Sequence, residues 1–95
     1  MDNNFKKYED SAELLKAIAH PVRICIIRGL LDKGGCNVST MQSCLDIPQP
    51  TVSRHLQKLK NLGIIDGERN GLEINYKVTN KKVVELIQLL LREED

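Results

Sequence analysis

Tryptophan is absent from this chain, phenylalanine occurs once and tyrosine twice. Any core must therefore be aliphatic and modest, because the large aromatic side chains that dominate many interiors are missing. There is no long apolar run either, and nothing approaches the ~20 residues a membrane-spanning helix needs. Net charge is small: 14 Lys and Arg against 13 Asp and Glu leave +1. The chain is no polycation, so nucleic-acid binding would require positive charge segregated onto one face. The three cysteines are odd in number and irregularly spaced, which argues against a disulfide framework. The polar start Met1-Asp2-Asn3-Asn4 has no signal-peptide pattern, and a reducing cytoplasm is the expected location. No nucleophile–base pair, paired carboxylates or phosphate-cradling loop is visible, which sets enzymes aside, and no cofactor is expected.

What remains is an aliphatic chain, 41% apolar and 95 residues long. That is one domain, 1–95, with too little volume for two cores. A domain this small often gains stability by pairing with a copy of itself.

Residues 1–8 are polar and expected to fray. Leu14, Leu15 and Ile18 predict a helix from about Glu9 to Ala19, capped by Ser11. His20-Pro21 breaks it, since a residue before proline avoids the helical region. Pro21 opens a second, central helix that runs to about Lys33, dense in Ile and Leu and stopped by Gly34-Gly35. Gly29 inside it is costly by propensity; close packing against another helix would account for it. A short third helix spans about Ser39 to Leu45, capped by Ser39 or Asn37. Asp46-Ile47-Pro48 makes a turn, and a fourth helix runs from Gln49 to about Leu62, with Pro50 at its first position. The period then changes to that of two strands, Ile64–Arg69 and Leu72–Val78, with Leu72, Ile74, Tyr76 and Val78 alternating with polar residues. Asn70-Gly71 between them predicts a type I′ hairpin turn. Thr79 or Asn80 caps a last helix that reaches about Arg92, and Glu93-Glu94-Asp95 forms a solvated acidic tail. The order helix-helix-helix-helix-strand-strand-helix is mainly α with a two-stranded wing, a winged helix-turn-helix.

The fourth helix is the most informative element. Val52, Leu56 and Leu59 recur at i, i+4 and i+7 and line one side. Gln49, Thr51, Ser53, Arg54, Gln57 and Lys58 fall mostly on the other, with almost no acid among them. These donors and acceptors suit phosphate oxygens and base edges. The plain alternative is a merely solvated face, and the hairpin that follows favours double-stranded DNA. Gln49, Thr51, Ser53 and Arg54 stand where a recognition helix meets base edges; Gln57, Lys58 and Lys60 suit the backbone. Arg69 and Asn70, at the hairpin tip, are placed to reach a minor groove, with Lys77 a weaker candidate. The first and last helices carry more apolar residues than one small protomer covers. Leu14, Leu15, Ile18, Val84, Ile87, Leu90 and Leu91 are therefore the expected homodimer interface.

Several separated stretches also resemble the ArsR/SmtB repressors: Ala12 to Arg23, Gln49 to Leu56, Leu62 to Ile65 and Gly71 to Tyr76. The likeness covers nearly the whole chain, and within the family it is closer to small virulence regulators than to the metal sensors. It implies a homodimer joined through its first and last helices that represses by occupying a palindromic operator. The family's metal sites do not carry over. A Cys-x-Cys leading into the third helix is here Asn37-Val38-Ser39, with Cys36 just outside. Ligands of the last helix are replaced by Asn80-Lys81-Lys82, with no His. A thiol pair between the second and last helices lacks its second member, though Cys25 offers the first.

His20 and His55 are read as packed structural residues, since no acid stands at ligand spacing. Cys25, Cys36 and Cys44 are read as small apolar or loop residues, with Cys36 exposed after the glycines. The alternative is a thiol- or metal-responsive sensor built on Cys25, Cys36 or Cys44. A winged-helix module that binds protein would need an apolar or acidic outer face on the fourth helix, which is lacking.

Overall fold

A computed structural model describes residues 1–92; Glu93, Glu94 and Asp95 lie outside the described residues. The order is α1 (Glu9–Ile18), α2 (Pro21–Lys33), β1 (Cys36–Asn37), α3 (Val38–Leu45), α4 (Gln49–Asn61), β2 (Ile65–Asn70), β3 (Glu73–Val78) and α5 (Lys81–Leu91). This is a mainly helical winged helix-turn-helix with a small β-hairpin wing. It differs from expectation by one strand: β1 pairs antiparallel with β3, giving the sheet order β1-β3-β2. Two residues carry no detectable alternation, so only the partner strand reveals them.

Helix ends follow the local chemistry. The first residues do not simply fray: a 3₁₀ turn, Phe5–Tyr8, runs into α1, so Ser11 lies inside the helix and caps nothing. At α2 the His20 side chain acts as the cap, its Nδ1 accepting from the Val22 N–H at 3.1 Å. Gly34 closes α2 in the left-handed region, φ 70°, which costs glycine little. Asn37, not Ser39, caps α3, accepting the Thr40 N–H at 2.8 Å. Asp46, φ 55°, ends α3. Pro48 is the N-cap residue of α4, which places Pro50 second in the helix rather than first; its missing N–H is still one that would lack a partner. Asn80, not Thr79, caps α5 through the Val83 N–H at 3.1 Å.

The hairpin turn is displaced by one residue from the expected Asn70-Gly71. Asn70 pairs with Glu73, so Gly71 and Leu72 form the loop. Only Gly71 has positive φ, 69°, the pattern of a type II′ rather than a type I′ turn. The register places Gly67 opposite Tyr76, and a Cβ at Gly67 would stand 2.6 Å from Ile74 Cγ2 and 3.0 Å from the Tyr76 ring. The ring thus lies over the one residue of β2 that has no side chain. Leu72 is consequently not on the apolar face of β3 but fully exposed at the tip.

The core is aliphatic, as the composition requires. Ile27, Val52, Leu59, Ile64, Ile65, Val83 and Ile87 are its most enclosed members, drawn from α2, α4, the start of the wing and α5. Ile26, Leu30, Met41 and Leu56 join them. Cys36 is buried, not exposed as expected, because β1 holds it against β3 opposite Tyr76. Gly29 does not mark close helix packing: a Cβ there would meet nothing within 4 Å.

Candidate nucleic-acid interface

Burial of one edge sets the orientation of α4. Val52, His55, Leu56 and Leu59 face inward, and side chains three and four apart share a face. The opposite face is thereby turned outward. Gln49, Ser53, Arg54, Gln57, Lys58 and Lys60 are exposed and Thr51 is half-buried. Arg54 Nη2 donates to Thr51 Oγ1 at 3.3 Å, one turn back, and Gln57 Nε2 donates to Asn61 Oδ1 at 2.7 Å. No Asp or Glu lies between Gln49 and Asn61. The ion pairs among the described residues, Lys7–Asp2 and Arg28–Asp32, engage none of Arg54, Lys58, Lys60 or Arg69. Among the described residues no carboxylate forms an ion pair with Arg54, Lys58 or Lys60, so the charge of α4 is available to an external anion.

Behind this face lies a cluster that no spacing pattern reveals. Arg23 of α2 donates from Nε to His55 Nδ1 at 3.1 Å, across 32 positions of sequence. Its Nη1 donates to the Ala17 carbonyl at 2.9 Å. The His20 and His55 rings meet edge to face, 4.7 Å between centroids. Burial pushes the His55 imidazole below its usual value, with the charges of His20, Arg23 and Arg54 adding to the effect. A neutral ring leaves Nδ1 as the acceptor that Arg23 needs. Both histidines are therefore structural, as the sequence suggested, and together with Arg23 they pin α4 to the end of α1 and the start of α2.

The wing places Arg69 and Asn70 at the exposed end of β2, opposite Ile74 and Glu73. Glu68 and Glu73 stand beside them, so the tip is of mixed charge. Asn37 joins the wing to the helix pair: its Nδ2 donates to Glu73 Oε2 at 3.2 Å while its Oδ1 caps α3.

The residues expected at a dimer interface fall into three groups. Ile18 and Ile87 belong to the protomer's own core, Leu14, Val84 and Leu91 are half-buried, and Leu15 and Leu90 are exposed. Leu89, not anticipated, is exposed beside Leu90. Cys25 and Cys44 are exposed and Cys36 is buried. Among the described residues, no group of three or more His, Cys, Asp or Glu is arranged to hold a metal ion. Nor is any described helix long and apolar enough to cross a membrane.

A short helix, a tight turn, a polar outward-facing helix and a hairpin define a winged helix-turn-helix DNA-binding regulator. A family model described as a helix-turn-helix domain matches residues 18–68. The transcriptional repressor PagR of Bacillus anthracis is 42% identical over 86 residues, which is 90% of this chain and 86% of that protein. The chain belongs to the ArsR/SmtB-like winged helix-turn-helix transcriptional repressors, DNA-binding regulators rather than enzymes. The crystal structure of PagR superposes with a TM-score of 0.82 at 41% identity, covering 92% of this chain and 99% of that one. The repressor SmtB of Mycobacterium tuberculosis is 39% identical over 77 residues, 81% of this chain but only 56% of that protein. The solution structure of Mb0332 from Mycobacterium bovis, a homodimeric winged helix-turn-helix DNA-binding domain, gives a TM-score of 0.81 at 25% identity, covering 94% of this chain and 83% of that one.

Proposed function

We propose that two copies of this chain pair and repress transcription by occupying a palindromic operator. Each protomer places α4 in a major groove, with half-sites about one helical turn, ~34 Å, apart. Gln49, Thr51, Ser53 and Arg54 read base edges; Gln57, Lys58 and Lys60 hold phosphates. Arg69 and Asn70 bring the wing to flanking backbone or minor groove. The observation that carries this reading is the outer face of α4, which is free of acids and whose cations form no ion pair among the described residues. The dimer is supported by the exposed Leu15, Leu89 and Leu90 on α1 and α5 and by the homodimeric state of Mb0332.

The test begins by selecting bound sequences from random duplex DNA, followed by fluorescence-polarisation titration of the selected site. Arg54→Ala is expected to weaken specific binding by about 1–3 kcal/mol and relax one base position. Lys58→Ala is expected to weaken all sequences alike and to flatten the salt dependence. Selection of non-palindromic sites, or an Arg54→Ala protein with unchanged affinity and preference, would sink the assignment.

A further inference from the structure

All three thiols of the chain, which the DNA-reading face leaves unused, converge on one pocket. It lies between α2 and the β1–α3 segment, is partly open to solvent where Cys25, Lys33 and Cys44 are exposed, and has a volume of about 120 Å³. Cys25, Gly29, Lys33, Cys36, Met41 and Cys44 line it, together with aliphatic side chains of α2 and α3. Gly29 keeps it open. Alanine would make the better helix at this position, and a Cβ there would meet nothing within 4 Å. Neither crowding nor an unusual backbone angle therefore requires glycine.

We propose that this pocket binds a single-ring aromatic molecule and that its occupancy changes the affinity of the protein for DNA. Size supports the class: an apolar space of ~150 Å³ is enough to take up benzene, and the partly open pocket here leaves a ring substituent able to face solvent. The wall chemistry supports it too. Three cysteine sulfurs and the Met41 thioether are polarisable and contact aromatic rings favourably. They surround a space rather than meeting at a point, in keeping with the lack of a metal-holding cluster among the described residues. Lys33, exposed in the lining, is the partner for a hydroxyl or carboxylate on the ring. Coupling runs through α3, which supplies Met41 and Cys44 to the wall and passes directly through the Asp46-Ile47-Pro48 turn into α4. The binding half of this proposal stands alone; the regulatory half rests on the repressor reading.

The test uses the reduced full chain, ¹⁵N-labelled and titrated with phenol and with benzoate. Saturable amide shifts are expected at Cys25, Gly29, Cys36, Met41 and Cys44. Gly29→Leu, which fills the pocket, is expected to abolish them. Gly29→Ala, whose added methyl is free of clashes, is expected to weaken binding at least threefold and decides the matter if the leucine variant does not fold. Shifts that never saturate, that centre elsewhere, or that persist at equal affinity in the Gly29→Ala protein overturn the site. With phenol saturating, the Kd for operator DNA is expected to change threefold or more in the unsubstituted protein. An unchanged Kd beside saturable shifts overturns the regulatory half. Failure of the ligand-free protein to bind any selected duplex counts against the repressor reading, while the amide shifts still decide the pocket.

Discussion

Arg54 and His55 are neighbours with opposite duties, one facing outward and the other carrying the helix. Arg54 is held by Thr51 one turn back, which shortens its search for a partner. His55 is 9% exposed, and its Nδ1 accepts from Arg23. That acceptor exists only on the neutral ring. The sign of the pH effect follows. Burial lowers the His55 value in the folded state, so the unfolded chain binds the proton first as pH falls. The stability this contributes is complete above the unfolded value of about 6.5 and is lost as pH falls through the folded value. Thermal melts are therefore expected to show Tm dropping on acidification below about pH 6.5. His55→Gln is expected to lower Tm at pH 7.5 and flatten the dependence; an equally steep dependence in the variant would show that other groups carry it. Thiol placement is a residue-scale lesson too. Cys36 follows two glycines, which suggests exposure, yet a strand of two residues buries it.

At the scale of elements, Asn37 is the most consequential joint. It caps α3 and reaches Glu73 on β3. Asn37→Ala is expected to cost about 1 kcal/mol from the lost cap, read as a lower urea midpoint. Glu73→Gln keeps a carbonyl acceptor for the Asn37 amide and is expected to cost less. A silent Asn37→Ala would mean the cap is replaced by solvent. Most elements were legible because strong punctuation marks them: His20-Pro21, Gly34-Gly35, the Pro48 turn and Gly63. The outward face of α4 was legible from its 3.6-residue period, and all its expected DNA contacts are exposed or half-buried. The rest was hidden for physical reasons. β1 is defined by its partner rather than by its own pattern. The hairpin register is decided by Tyr76 over Gly67, a contact between strands that outweighs the local preference of Asn-Gly. Arg23 acts across distant sequence, and no periodicity reports it.

For the molecule as a whole, shape is informative. The radius of gyration is 14.5 Å, against about 12 Å for a compact chain of this length. The excess reflects an elongated, flattened outline of 49 × 36 × 22 Å, and Leu15, Leu89 and Leu90 are separately left exposed on it. Leu90→Glu is expected to raise the dissociation constant of the proposed dimer at least tenfold in sedimentation equilibrium, about 1.4 kcal/mol. Binding to a full palindrome is expected to suffer more than binding to a single half-site. Unaltered self-association would move the interface elsewhere. The β1–β3 pairing has a consequence for the kinds of DNA the protein accepts. Because β1 runs straight into α3 and is hydrogen-bonded to the wing, the helix pair and the hairpin form one linked caliper. Its opening is set inside the protomer. Operators that alter the offset between a half-site and its flank are expected to be rejected, read as a loss of affinity against the selected site.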